Sequence, residues 1–274
     1  MIPAPFDYVR AASLDEALSL LASNGDDAKL LAGGHSLLPL MKFRLATPAL
    51  LVDIGALREL SYVRREDGVL TIGSLTRHHD VATSDAVLSG APVLAHVAGQ
   101  IGDPQVRHRG TIGGSLAHGD PASDLPAVLL ALGATYVAQG PQGRREIPAS
   151  QFHLSFFEVA LQPDEVLVEV RVPLAEGTQW GFEKLTKRAQ DWAIVGAVAA
   201  RTSSGVGVGL INMGPVPLRS TAVEAAVASG ASALEAARLA AQGTDPAADF
   251  NGSVQYRQHV AEVLVRRVLE RTGV

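Results

Sequence analysis

Apolar residues recur along the first 55 positions in a pattern that predicts strand, helix, strand, helix and strand in that order. Short apolar runs at residues 6–9, 28–32 and 50–54 are typical of buried strands. Residues 14–21 place apolar side chains at helical spacing, behind a Ser-x-x-Glu sequence of the capping-box type. A second helix is expected to run through Phe43, so the segment is predicted to form a small βαβαβ unit like those that bind nucleotides.

The middle of the chain alternates between strand and helix patterns, apart from one irregular segment. Strands are predicted at residues 61–65, 69–73, 135–138, 144–147 and 166–172, and helices near 78–82, 91–99 and 127–132. The dipeptide Asp67-Gly68 is a strong signal for a hairpin turn. Residues 102–126 are rich in glycine, proline and charged residues and show little periodicity. A structureless stretch of that length inside a domain is usually functional.

A boundary between two domains is predicted at residues 175–179, just after a strand that ends at Pro173. Beyond the boundary, the pattern predicts a smaller α+β domain of three strands backed by helices, with strands at residues 181–186, 193–201 and 206–213. The predicted domains are residues 1–176, with subdomains of about 1–57 and 58–176, and residues 177–274.

The composition excludes several classes of function. The chain has 274 residues and a formal net charge of −5, so it presents no basic field for nucleic acid or anionic lipid. It contains no cysteine, which excludes an iron–sulfur cluster, a disulfide or a thiolate nucleophile on this chain. Its start lacks a signal-peptide pattern, and no apolar run approaches the length of about 18 residues that spans a membrane, so a cytoplasmic location is expected.

Two glycine-rich stretches carry the clearest sign of ligand binding. They read Ala32-Gly33-Gly34-His35-Ser36 and Gly110-Thr111-Ile112-Gly113-Gly114-Ser115. Paired glycines let the backbone approach a ligand and direct successive N–H groups at it, while Ser36, Thr111 and Ser115 add hydroxyl donors. Ser36 is also expected to cap the helix that follows it. The two loops suit a pyrophosphate held from both sides. The alternative is that each glycine pair is simply a tight turn, since neither loop matches the usual dinucleotide or triphosphate fingerprint.

Three other features give weaker signals. His78-His79-Asp80 has no matching ligand at helical spacing, so a solvated helix start is favoured over a metal site. The glycines of the segment 205–209 fall inside an alternating strand and are interpreted as structural. Asp124 suits a hydrogen bond from a ribose or polyol hydroxyl, or the N-cap position before Leu125. No nucleophile elbow is present, and no catalytic residue is assigned to this chain.

Three segments resemble those of a known family: LLAGGHSLLPLMKFRLATPALLVDI, VRHRGTIGGSLAHGDPASDLPA and EKLTKRAQDWAIVGA. They are similar to the FAD-binding medium subunit of the xanthine dehydrogenase and aerobic carbon monoxide dehydrogenase family, the molybdenum hydroxylases. The resemblance runs over essentially the whole chain. It implies an α+β fold, with a vanillyl-alcohol-oxidase-type (PCMH-type) FAD-binding domain of two α/β subdomains up to about residue 175, followed by a C-terminal α+β domain.

The resemblance also implies which residues contact FAD. The pyrophosphate would be wrapped on one side by Leu31, Ala32, Gly33, Gly34, His35, Ser36 and Leu37, and on the other by Gly110, Thr111, Gly113, Gly114 and Ser115. Asp124 would hold ribityl hydroxyls, Ile101 and Leu167 would lie beside the flavin, and Lys184 would be a basic residue near the ring. Trp192 matches an aromatic position near the isoalloxazine, with a core tryptophan as the alternative. A valine at Gly33 or Gly114 is predicted to occupy the space of the phosphate and leave the fold largely intact.

In such enzymes a large subunit holds a molybdenum cofactor, a small subunit holds two [2Fe–2S] clusters, and FAD passes electrons to a quinone or NAD. The resemblance implies this role within a dimer of heterotrimers, cytoplasmic or peripherally associated with a membrane through the complex. The His35 form of the first loop favours carbon monoxide as substrate, while purines, aldehydes and N-heterocycles stay open. A stand-alone FAD-dependent oxidoreductase of the same fold, or a scaffold whose flavin site has decayed, are the rival hypotheses.

Overall fold

A small parallel sheet forms the N-terminal part of the computed structural model, which describes residues 2–274. Its elements are β1 (Asp7–Arg10), α1 (Leu14–Asn24), β2 (Ala28–Leu31), α2 (Leu37–Lys42) and β3 (Leu50–Asp53), and the strand order is β1-β3-β2. All strand pairs are parallel, and α1 buries Ala17, Leu18 and Leu21. The predicted βαβαβ unit is therefore confirmed.

The two N-terminal helices begin in different ways. Ser13 caps α1 by accepting a hydrogen bond from Glu16 N at 3.1 Å, and the Glu16 carboxylate accepts from Ala12 N at 2.6 Å. Ser36 occupies the predicted N-cap position of α2, but its side chain does not cap the helix. Ser36 has helical dihedral angles (φ −102°, ψ −50°) and makes no cap bond, because the turn already begins at Gly34, whose carbonyl accepts from Leu38 N at 3.0 Å. The Ser36 hydroxyl therefore stays available to a ligand.

An antiparallel five-stranded sheet and a series of short helices follow. The elements in chain order are β4 (Val63–Glu66), β5 (Val69–Gly73), α3 (His78–Thr83), α4 (Asp85–Gly90), α5 (Pro92–Ala98), α6 (Pro104–Arg107), α7 (Ile112–His118), α8 (Asp124–Ala131), β6 (Thr135–Gly140), β7 (Gly143–Pro148), α9 (Ala149–Phe152), β8 (His153–Ser155), β9 (Glu158–Val159) and β10 (Val166–Pro173). The sheet has the order β4-β5-β10-β6-β7, while β8 and β9 pair separately. Asp67 and Gly68 form the predicted hairpin turn with positive φ values of 50° and 78°.

Residues 102–126 are not structureless as predicted, because they contain α6, α7 and the start of α8. The first two helices begin with side-chain caps. The Asp103 carboxylate accepts from Val106 N at 2.9 Å, and the Thr111 hydroxyl accepts from Gly114 N at 3.1 Å. These helices span four and seven residues, which is too short for a helical period to show in the sequence.

The C-terminal part is a four-stranded antiparallel sheet covered by helices. Its elements are β11 (Trp180–Leu185), β12 (Val195–Thr202), β13 (Gly205–Ile211), β14 (Leu218–Arg219), α10 (Thr221–Ala228), α11 (Ala233–Ala237) and α12 (Val254–Arg271), with strand order β11-β12-β13-β14. The prediction of three strands is wrong by one. The fourth strand, β14, consists of two residues and carries no alternating pattern of its own.

Two glycines of β13 allow α8 to lie directly on the C-terminal sheet. A Cβ on Gly207 would lie 1.9 Å from the carbonyl oxygen of Ala131, and one on Gly209 would lie 2.3 Å from that of Ala127. Real Cβ atoms essentially never approach that closely. The interpretation of this glycine repeat as structural is therefore confirmed.

Three apolar cores connect these layers. One joins the N-terminal sheet to the middle sheet through Val137 and Val166. The second lies between the other face of the middle sheet, helices such as α5 and α8, and the C-terminal sheet. The third lies between the C-terminal sheet and α12. Within residues 2–274, no helix has both the length and the apolar character that a membrane crossing requires. We retain the division between residues 176 and 177 as a proposal.

Candidate functional site

A cavity of about 800 Å³ lies where the N-terminal, middle and C-terminal sheets meet. Its lining includes the loop after β2, the start of α7, the first residue of α8, and residues of β10 and β11. Every site residue predicted from the sequence lines this cavity except Leu31. Leu31 is the last residue of β2. Its Cδ1 atom would lie 3.3 Å from a Cβ on Gly34, so its side chain packs against the first glycine loop.

The first glycine loop carries backbone N–H groups without protein partners. Within residues 2–274, the N–H groups of Gly33, Gly34, His35 and Ser36 donate no hydrogen bond to another part of the chain. Gly34 has a φ of 77°, a left-handed conformation that favours glycine. A run of free N–H donors on a cavity wall is suited to an anion such as a diphosphate.

The second loop differs, and the expectation that its glycines also direct free N–H groups at a ligand is wrong. Its backbone donors are used within the protein: Ile112 N bonds to Thr76 O at 3.0 Å, Gly113 N to Ser74 O at 2.8 Å, Gly114 N to the Thr111 hydroxyl at 3.1 Å, and Ser115 N to Thr111 O at 3.0 Å. A Cβ on Gly113 would lie 2.5 Å from the Cβ of Ser74. The glycines of this loop therefore serve packing, and the half-buried Ser115 hydroxyl is its polar group on the cavity wall.

The two loops touch each other directly. A Cβ on Gly33 would lie 2.2 Å from the carbonyl oxygen of Arg109, the residue before the second loop. The Arg77 guanidinium donates a hydrogen bond to the same Arg109 oxygen. The loops thus form one continuous wall, although 77 positions separate Gly33 from Gly110 in the sequence.

Asp124 and Lys184 form a buried ion pair on the cavity lining. Lys184 Nζ lies 2.6 Å from Asp124 Oδ2, and Asp124 Oδ1 has no hydrogen-bond partner in the protein. Burial raises the pKa of Asp124, and the Lys184 ammonium opposes that rise. The N-cap alternative for Asp124 is wrong, because Asp124 is already the first helical residue and Ser123 occupies the N-cap position.

His78 lies between the glycine loops and is not solvated. It is 5% exposed, its Nδ1 atom has no partner, and its Cδ2 atom would lie 2.7 Å from a Cβ on Gly110. Burial, with smaller contributions from nearby positive charges, lowers the pKa of His78 to about 4, so its imidazole is neutral at pH 7. The predicted solvated helix start therefore fails for His78, while His79 stacks on His108 at 4.1 Å.

Trp192 lies at the edge of the cavity with 59% of its surface exposed, so the alternative of a core tryptophan is wrong. It belongs to the connection between β11 and β12, which has one ion pair of its own and one side-chain hydrogen bond to the C-terminal sheet. Arg188 and Asp191 form an ion pair at 2.9 Å, and Asn212 Nδ2 donates to the Ala193 carbonyl at 2.7 Å. The indole ring is thus presented on an anchored loop.

Apolar side chains complete the cavity. Ile101 lines it where the Arg107 guanidinium donates to the Ile101 carbonyl at 3.0 Å. Leu167 lines it from β10, at a point where the register with β6 shifts between residues 167 and 169. Such an irregularity redirects side chains and is common beside binding sites.

Sequence reasoning missed Phe157, which also lines the cavity. Its φ of 58° is strained for a bulky residue, and its N–H donates to the Gly119 carbonyl at 3.2 Å. Its ring lies 4.9 Å from that of His118. The available signal was the pair Phe156-Phe157 in a chain with only 5% aromatic residues.

The residues present fit a flavin dinucleotide. The cavity is concave and of the size that binds cofactors, it mixes apolar walls with few polar groups, and it offers free N–H donors on one loop. The unpartnered Oδ1 of buried Asp124 supplies an acceptor for a hydroxyl.

Comparisons with known proteins agree with this fit. Residues 4–175 match the family described as the FAD binding domain in molybdopterin dehydrogenase, and residues 180–272 match the CO dehydrogenase flavoprotein C-terminal domain. The chain is 42% identical to the carbon monoxide dehydrogenase medium chain of Hydrogenophaga pseudoflava over 279 residues, which cover 98% of this chain and 97% of that relative. It is equally 42% identical to the 6-hydroxypseudooxynicotine dehydrogenase complex subunit alpha of Paenarthrobacter nicotinovorans, over 99% of this chain and 95% of the relative. The solved structure of the Hydrogenophaga pseudoflava carbon monoxide dehydrogenase that lacks the Mo-pyranopterin moiety matches with a TM-score of 0.96 and 43% identity, covering 100% of this chain and 99% of that one.

Proposed function

This chain belongs to the FAD-binding subunits of the molybdenum hydroxylase family, and from that premise we propose that its cavity holds FAD and that the chain serves as the electron-transfer subunit of a three-subunit enzyme. A large partner subunit with a molybdenum cofactor oxidises the substrate, and a small partner subunit with two [2Fe–2S] clusters delivers the electrons. The absence of cysteine from this chain supports the placement of the clusters on a partner.

The observation that carries this proposal is the contact between the two glycine loops, with four free N–H groups from Gly33 to Ser36 beside it. These donors bind the two phosphates, and the Ser36 and Ser115 hydroxyls add hydrogen bonds from either side. The neutral His78 behind them keeps the wall free of a titrating charge near pH 7.

The remaining residues orient the other end of the cofactor. Asp124 accepts hydrogen bonds from ribityl hydroxyls, Ile101 and Leu167 pack against the flavin ring, and Lys184 places a positive charge near it. When bound, FAD would supply the redox chemistry that links the clusters of the partner subunit to an external acceptor. The chain itself needs no general acid or base, since it binds and orients the cofactor and limits access of water to it.

The substrate is chosen on the large partner subunit, so similar flavin subunits accompany enzymes with different substrates. Relatives of equal identity belong to a carbon monoxide dehydrogenase and to a 6-hydroxypseudooxynicotine dehydrogenase. We take carbon monoxide as the first candidate, oxidised with water to CO2, two protons and two electrons. An N-heterocycle, purine or aldehyde is the runner-up. A quinone or NAD serves as acceptor, and the complex is a dimer of heterotrimers.

The test is FAD titration of the purified chain, followed by addition of the partner subunits. We expect one FAD per chain and reduction of that FAD by substrate only when both partner subunits are present. Rapid oxidation of a substrate by the chain and FAD alone would instead support the stand-alone oxidoreductase. A chain that takes up no FAD would support the decayed scaffold.

The substitution Trp192→Ala tests whether the exposed indole ring contacts the cofactor or serves only to stabilise the fold. Because Trp192 is 59% exposed, we expect a change in the free energy of unfolding of less than about 0.5 kcal/mol. We also expect an altered visible spectrum of bound FAD, since the indole lines the cavity. Exposed Phe250 is the matched control, because its removal should leave the FAD spectrum unchanged. Equal spectra for wild type and Trp192→Ala would argue against the assigned place of this ring.

A further inference from the structure

One buried ion pair connects the FAD-binding part of the chain to the C-terminal sheet. Asp124 is the first residue of α8, and Lys184 lies on β11, 60 positions later in the sequence. The exposed fractions of the two side chains are 7% and 9%. Both residues line the cavity, so the wall of the cofactor site is completed by the C-terminal sheet.

We propose that Lys184 is a positioning residue that acts through Asp124: it holds this buried carboxylate ionised and fixed, so that Asp124 accepts a hydrogen bond from a polyol hydroxyl of the cofactor. The inference rests on the proposed function, because the ribityl chain of FAD is the polyol. It assigns to the C-terminal sheet a part in retaining the cofactor, in addition to covering it.

The hydrogen bonds of the pair support this division of roles. The Lys184 ammonium donates to Asp124 Oδ2 at 2.6 Å and lies 3.5 Å from the Gln100 carbonyl oxygen. The other carboxylate oxygen, Oδ1, has no partner in the protein. Lys184 thus occupies one oxygen of Asp124 and leaves the second for a donor that the protein does not supply.

Among the charged groups around Asp124, Lys184 is the one that favours its ionised form. Burial favours the protonated form of Asp124, and Lys184 is the charged group that opposes this effect. From α7, His118 faces the cavity with its pKa lowered by burial, and Asp120 before α8 accepts from Ala122 N at 2.8 Å. From α3, His78 is neutral near pH 7. From the C-terminal part, Asp191 is paired with Arg188.

The consequence is a specific dependence on pH. A protonated Asp124 offers a weaker, uncharged hydrogen bond to a hydroxyl, since charge-assisted bonds are roughly twice as strong as neutral ones. Removal of the Lys184 charge raises the pKa of Asp124 further. The acidic loss of FAD affinity should then begin at a higher pH than in the wild type.

The experiment measures the FAD dissociation constant against pH for the full chain and for Lys184→Met, Lys184→Arg, Asp124→Asn and the Met/Asn double variant. For Lys184→Met we expect affinity to fall about tenfold at neutral pH, with the acidic loss shifted upward in pH. Lys184→Arg keeps the positive charge, so it should restore both the FAD affinity at neutral pH and the wild-type pH dependence. Asp124→Asn should weaken binding and remove this pH-dependent component. Lys184→Met should weaken binding less in the Asp124→Asn background than in the wild type, because only the direct effect of the Lys184 charge on the flavin is left.

Two results would overturn the inference: a Lys184→Met profile that parallels the wild type, or a double variant weakened by the product of the two single effects. Asp124→Asn with wild-type affinity would overturn it as well, whatever the state of the Lys184 variants. Contributions from His78 and His118 persist in the Asp124→Asn profile and are thereby separated. A wild-type chain that binds no FAD would instead defeat the proposed function.

Discussion

Gly33→Val is expected to abolish FAD retention, and the reason is a collision between two parts of the protein. The Cβ of any residue at position 33 would lie 2.2 Å from the Arg109 carbonyl oxygen, so the two glycine loops must move apart. The free N–H donors of residues 33–36 move with the first loop, away from Ser115. Loss of two charge-assisted hydrogen bonds, each worth about 1.5–3 kcal/mol, corresponds to a drop in FAD affinity of at least about 100-fold.

This reason differs from the prediction made from sequence, in which valine at Gly33 or Gly114 fills the space of the phosphate and spares the fold. At Gly114 a Cβ would lie 2.7 Å from the Thr111 hydroxyl, which caps α7. Both substitutions therefore disturb the protein wall itself, and a local loss of order should accompany the loss of FAD.

The FAD content of the purified variant and its titration with FAD check this expectation. Gly214→Ala is the matched control, because its new methyl group would meet the flexible Leu218 side chain at 3.1 Å, outside the cavity lining. The control should bind FAD as the wild type does. Stoichiometric FAD in Gly33→Val, with wild-type affinity, would show that the loops do not meet in this way.

Gly207→Val is expected to cause the largest loss of stability. Its Cβ would lie 1.9 Å from the Ala131 carbonyl oxygen, so α8 must leave the face of the C-terminal sheet. Overpacking and the opening of the core between them should lower the free energy of unfolding by about 3–5 kcal/mol. FAD affinity should fall too, because Asp124 on α8 would move away from Lys184 on β11.

Denaturant unfolding followed by circular dichroism measures this change at equal FAD occupancy. The control is Val206→Ala on the same strand, where the half-buried side chain packs against the apolar core on the α10 side of the C-terminal sheet. Deletion of two methyl groups there should cost about 1 kcal/mol. If Gly207→Val were no less stable than Val206→Ala, the close contact between α8 and β13 would be refuted.

The elements with strong local patterns were predictable from the sequence. Leu14, Ala17, Leu18 and Leu21 fix the buried face of α1, and Asp67-Gly68 fixes a hairpin, because both signals are contained in a few consecutive residues. The short helices α6 and α7 were missed, since their starts depend on side-chain caps and not on a hydrophobic period. The two-residue strand β14 was also missed, because it forms only by pairing with β13 and has no alternating pattern of its own.

The composition of the site was predictable from the family resemblance, and its internal contacts were not. Gly33 and Gly113 look alike in sequence, yet only the first loop keeps its N–H groups free, because Ser74 and Thr76 use those of the second. The burial of His78 likewise depends on Gly110, which packs against its ring. Such differences arise from tertiary contacts between distant segments, and a single sequence carries no local sign of them.

Helix α8 belongs to two apolar layers at once, because it lies against the middle sheet's core and also against the bare glycine face of β13. Removal of this helix from either half of the chain would expose apolar side chains to water. Melting of the two halves should accordingly be a single cooperative transition, even though each resembles an independent unit. Heating would then release the cofactor and unfold the C-terminal sheet in the same transition.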